Sequence, residues 1–166
     1  MPLTGYLKIP EIPGESTDTD HTNEIEVFDI SWTIEQLQQR TVAPTQVPFA
    51  IPGRVRARSV VGPIILRKYY DAASPYLAEA VDLGRTYRSM DISVTRLIES
   101  ANIDYLTIRM KNVNVISYTM QTNENTAAGG DFVETFSLSF EEADFKYSQL
   151  DNRFTVSAEH AVKIEA

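Results

Sequence analysis

Apolar residues recur at every second position over much of the chain, and in three places the alternation slips by one. Ile25 and Val27 share one parity, whereas Ile30, Trp32 and Ile34 share the other. Successive side chains of a strand point to opposite faces, so the apolar face of this segment changes sides near Phe28, as it would at a β-bulge or a sharp bend. Within residues 103–118, Leu106, Ile108 and Met110 hand over in the same way to Val113 and Val115. Within residues 131–147, Phe136, Leu138 and Phe140 give way to Ala143, Phe145 and Tyr147. A strand in a flat two-layer sandwich keeps one parity throughout. The slips therefore predict strands that bend around a barrel, or that serve a core at one end and another surface at the other.

Further strands are predicted at residues 5–9, at Met90, Ile92 and Val94, at residues 60–68, where Pro63 marks an edge or an irregularity, and at residues 154–158. The turn-forming residues 123–130 join two of the long strands. One helix is predicted over residues 71–83. Ser74 is placed to cap it, Pro75 fits its first turn, where the missing N–H costs nothing, and Gly84 suits its end. Leu77, Ala80, Val81 and Tyr76 give it a narrow apolar face, suited to lying on a sheet.

Residues 38–53 lose all periodicity and carry Pro44, Pro48 and Pro52. Proline removes a donor and fixes φ, so the segment predicts an extended loop, with Val47, Phe49 and Ile51 seeking a surface that another subunit could supply. Arg54, Arg56 and Arg58 follow at alternate positions and share one strand face. Ordinary arginine exposure makes this a solvated face first, and an anion strip or a contact with an acidic neighbour second.

Composition narrows the function. A chain of 166 residues with 43% apolar and 23% charged positions is expected to fold as a single domain. No stretch has the length and apolarity of a membrane helix, and the first residues lack a secretory signal pattern, so synthesis and initial residence in the cytoplasm are expected. The absence of cysteine excludes disulfides and thiolate chemistry. A net charge of −8 opposes general nucleic-acid binding.

Catalysis finds little to work with. There are two histidines, no cysteine and no serine in a nucleophile elbow. Glu15, Asp18, Asp20 and His21 are the nearest approach to a metal set, but they lack the spaced ligands, tight glycine and terminal glutamate of a calcium loop. The loop reads instead as hydrogen-bonded around a structural histidine. The single Trp32, flanked by Ile30 and Ile34, reads as core. The expectation is a protein without catalytic residues, metal or cofactor.

Taken together, Gly14-Glu15-Ser16, Asp18, His21, Glu24-Ile25, Val27 and Ser31-Trp32 resemble the opening motif of the haemolysin-coregulated proteins (Hcp), the tube subunits of bacterial type VI secretion. Lys68, Asp71, Ser74-Pro75 and Leu77 resemble the segment leading into that family's helix, and residues 134–147 its late strand. The likeness spans nearly the whole chain in order.

The resemblance implies a mainly β fold: a β-barrel of two sheets with one flanking helix. It also implies a homohexameric ring, rings stacked into a tube inside a contractile sheath, a VgrG-like spike as partner, small effectors carried in the lumen, and export by a route that needs no signal peptide. Ser31 matches the family position that faces the lumen and touches cargo. By alternation Asp29, Ser31 and Thr33 would line the channel, while Ile30, Trp32 and Ile34 pack inside. Gly14, Glu15, Ser16, His21 and Trp32 form the structural motif. Val47, Phe49, Ile51, Arg54, Arg56 and Arg58 fall where the family has its inter-ring or inter-subunit loop, although a proline-rich stretch stands here in place of a glycine-rich one. A tail-tube protein of a related contractile particle is the alternative reading. A secreted hydrolase and a nucleic-acid-binding barrel fit less well.

Overall fold

The structure, a computed structural model, describes residues 3–37, 58–98, 101–124, 132–153 and 155–166. Among the described residues, eight strands and one helix follow in order: β1 (Thr4–Lys8), β2 (Ile25–Val27), β3 (Asp29–Leu37), β4 (Arg58–Tyr69), α1 (Ser74–Leu83), β5 (Thr86–Ile98), β6 (Ala101–Thr122), β7 (Phe132–Leu150) and β8 (Val156–Glu165). They form one antiparallel sheet in the order β2-β1-β5-β6-β7-β4-β3, with β8 added on β7.

The parity change near Phe28 is a change of partner. β2 pairs with β1 and β3 pairs with β4, at opposite ends of the strand order, and Phe28 alone separates them in the chain. Its N–H bonds Arg67 O at 3.0 Å, and its ring packs on Tyr69 at 4.7 Å. The sheet is thus curled until its two ends meet at one residue, although its hydrogen-bond ladder does not close.

The slips in the long strands have a common cause. Register aligns Tyr87, Val113 and Phe140 in one row and Met90, Met110 and Ala143 in another, all buried, so the alternation slips at the same level in β5, β6 and β7. At that level Asn112 takes a left-handed conformation (φ 50°), and its side-chain amide donates to Glu141 at 2.6 Å. Asparagine is one of the few residues that tolerate that conformation. β7 also changes its second partner there: residues 133–138 pair with β4, and residues 142–150 with β8. The sheet folds along this line, and the two expected sheets are the two lobes of a single one.

Both lobes feed one core. Leu7, Ile25, Ile64, Leu66, Met90, Ile92, Met110, Phe136 and Leu138 are all buried in it. At roughly 1.5–3 kcal/mol for each large apolar side chain removed from water, this core dominates the favourable side of folding. Helix α1 covers it with Leu77 and Ala80, ends at the left-handed Gly84 (φ 61°), and leaves Tyr76 exposed rather than on its apolar face.

Three expectations change. The helix starts at Ser74, not at residue 71, and Ser74 does not cap it, because its buried hydroxyl is taken by Lys68 Nζ and the Asp71 N–H. The last strand runs to Glu165 rather than stopping at residue 158. As an edge strand held by one ladder it needs no apolar face, so its charges hid it. Ile34 is 43% exposed instead of packed inside. The register shifts between Trp32 and Ile34, opposite the Gly62-Pro63 pair, and beyond that bulge β4 no longer pairs with β7.

Candidate functional site

Three groups of side chains concentrate polar chemistry. The first lies on the outer face of β3. Asp29, Ser31 and Thr33 are exposed together there, while Ile30 and Trp32 turn inward and pack against the core. Register extends this face across four strands. Ser31 is opposite Ile65, which is opposite Ser137 and then Ser117; Asp29, Arg67, Thr135 and Thr119 form the adjacent row. Ser117 and Ser137 hydroxyls bond at 2.8 Å, and Arg67 lies 3.9 Å from Asp29. The face is therefore a wall of small hydroxyls with one apolar side chain and one internally balanced charge pair.

Trp32 stands on the other side of the same strand. Its Nε1–H donates to Gly62 O at 2.9 Å, and its ring stacks on Phe145 at 4.6 Å. A side chain at Gly62 would put its Cβ 2.5 Å from Thr33 O, so the close crossing at the bulge requires glycine.

The second group is the loop between β1 and β2. Gly14 N–H bonds Asn23 O, Asn23 N–H bonds Ser16 O, and Ser16 N–H bonds Glu24 O, folding residues 14–24 back on themselves. A Cβ on Gly14 would lie 2.2 Å from Glu24 O. His21 is buried at the centre, with its ring stacked on Tyr6 at 4.3 Å. Its Nδ1 meets Glu24 Oε2 at 2.8 Å and its Nε2 meets Asp104 Oδ1 at 2.9 Å. Burial works against charge on the imidazole, but the bonds to Asp104 and Glu24 outweigh it and hold His21 above its ordinary value. Burial and nearby Asp18 push the Tyr6 phenol up to about 12. Asp18 itself bonds the Asp20 N–H and the Asn102 amide, whereas Glu15 is exposed.

The third group was not legible as a cluster. Lys68 and Glu134 face each other across β4 and β7, both fully buried, with Nζ 2.6 Å from Glu134 Oε2. Lys68 Nζ also reaches Asp71 at 2.7 Å, Ser74 Oγ at 2.9 Å and Tyr69 O at 3.1 Å. The Tyr118 hydroxyl donates to Glu134 Oε1, and burial together with that carboxylate pushes the phenol up. This network joins the end of β4 to the start of α1. A signal was present, since each charge continues an inward run: Ile64, Leu66, Lys68 and Glu134, Phe136, Leu138.

The structure thus gathers Asp29, Ser31 and Thr33 on one face and Gly14, Ser16 and His21 in one loop, and keeps Trp32 apart from both. Val47, Phe49, Ile51, Arg54 and Arg56 lie outside the described residues, and Arg58 opens β4. Among the described residues, no group of three or more His, Cys, Asp or Glu is arranged to hold a metal, and no helix is long and apolar enough to cross a membrane.

The family model described as type VI secretion system effector, Hcp, matches residues 6–147. Among solved structures, one titled as a type six secretion system protein is 20% identical, with TM-score 0.81 over 98% of this chain and 95% of its own. A type VI secretion system effector from Yersinia pestis is 22% identical, with TM-score 0.71 over 98% and 99%. Hcp1 from Salmonella typhimurium is 21% identical, with TM-score 0.72 over 99% and 95%. At these identities the likeness to solved structures is one of fold. No curated protein matches the sequence.

Proposed function

Because the chain belongs to the Hcp family of type VI secretion proteins, we propose that it is a structural subunit of the secretion tube. In this reading the whole chain acts as one domain, six copies close into a ring, and rings stack inside a contractile sheath behind a VgrG-like spike. The tube and small effectors in its lumen leave the cytoplasm together. The subunit contributes walls and contacts and no catalytic step.

The observation that carries the reading is the outer face of β3, β4, β7 and β6. On a chain of net charge −8, this face presents Ser31, Thr33, Ser117, Thr119 and Thr135, and its Asp29 and Arg67 lie within 3.9 Å of each other. Such a wall offers hydrogen bonds without a strong field, which suits a channel that must hold polypeptide and also release it. Ser31, Asp29 and Thr33 are assigned to the lumen and to cargo contact. Leu37 and Arg58 pair at the end of the β3–β4 ladder, and Val47, Phe49, Ile51, Arg54, Arg56 and Arg58 are assigned to contacts between subunits or rings.

Ser31→Gln tests the lumen assignment, since it lengthens one wall side chain in each copy without touching the core. Co-expressed effector is expected to lose its protection from degradation while rings persist in electron micrographs. Unaltered effector stability with intact rings would overturn the assignment.

A further inference from the structure

His21 meets two acceptors and no donor. Ionised Glu24 and Asp104 can only accept, and their oxygens lie 2.8 and 2.9 Å from the two ring nitrogens. A neutral imidazole has one N–H, so its other nitrogen would turn a lone pair toward a carboxylate. The site is complementary to the imidazolium alone. Tyr6 of β1 stacks on the ring, and Asp18 stands by that phenol while accepting the Asn102 amide at 2.6 Å. Glu26 of β2 also acts on Tyr6, and on β5 the neutral Thr95 stands opposite Asp104. Among these groups the imidazolium supplies the only positive charge.

The two bonds do different jobs. The bond to Glu24 is local, whereas the bond to Asp104 spans 83 residues and, with the Asn102–Asp18 bond, ties the loop to β6. We propose that His21 is a protonation-dependent latch that pins the loop of residues 13–24 to β6 and lets it open as pH rises. A group favoured in its charged form contributes fully below its ordinary value, about 6.5 for histidine, and loses that contribution as pH climbs through the raised folded value. The latch is therefore closed in mildly acidic surroundings and released on the alkaline side.

An imidazole NMR titration should show His21 losing its proton above the ordinary histidine value of about 6.5. Amide protection at Gly14, Ser16 and Asn23, whose N–H groups hold the loop closed, should fall about tenfold or more through the same pH range, as expected for loss of a charge-assisted hydrogen bond. In His21→Gln that step should vanish, with protection low at every pH. In Asp104→Asn, which keeps the imidazole, the His21 titration should move downward. The proposal is overturned if His21 titrates at or below about 6.5, if loop protection does not change through its titration, or if Asp104→Asn leaves the titration in place.

Discussion

Replacing Lys68 by methionine should be among the costliest single changes on the sheet. Methionine follows the lysine stem closely in shape, so packing is nearly preserved and the charge is what is lost. It leaves Glu134, fully buried, and Asp71, 12% exposed, without their shared cation, and it removes a donor from Ser74 Oγ and from the Tyr69 carbonyl. Removing one partner of a buried pair costs about 3–5 kcal/mol, and two stranded carboxylates put this variant at about 5. For a chain of this length that corresponds to a fall in Tm of about 10–20 °C. Glu134→Gln should cost less, about 2 kcal/mol, because Lys68 keeps Asp71, Ser74 and Tyr69 and the amide oxygen can still accept from Tyr118. Pairing Lys68→Met with Glu134→Leu should recover part of the single-variant loss, since the buried uncompensated carboxylate is gone. Urea unfolding of wild type and these three variants at neutral pH supplies the comparison. A Lys68→Met cost below about 1.5 kcal/mol, or one no larger than that of Glu134→Gln, would refute this ordering.

Gly14→Ala should loosen the loop by about 1–3 kcal/mol, because its Cβ would meet the Glu24 carbonyl, a backbone atom with little room to yield. Thermal unfolding checks this, and an unchanged midpoint would contradict it. Deleting residues 47–51, which removes Val47, Phe49 and Ile51, should leave the subunit folded by circular dichroism while weakening ring stacking in micrographs; tubes of unaltered length would count against it.

The parity of apolar positions made the strands and the curled sheet legible, and the slip at Phe28 located the place where the chain leaves one end of the sheet for the other. The same signal was ambiguous about cause, because a bulge, a bend and a change of partner all move side chains to the opposite face. Alignment of the three slips in β5, β6 and β7 became visible only with register, which no single strand contains. The full length of strand β8 hid because an edge strand obeys no burial rule. The buried Lys68–Glu134 pair hid for the opposite reason. A lysine ending an apolar run usually means the strand has reached solvent, and only the facing glutamate reverses that meaning. His21 was legible as the centre of a hydrogen-bonded loop, but its partner Asp104, far along the chain, was not.

A closed ring of this subunit is tested most directly by the native mass of the purified protein in light scattering. The mass of six chains is expected. A stable monomer that stays monomeric at high concentration would contradict it.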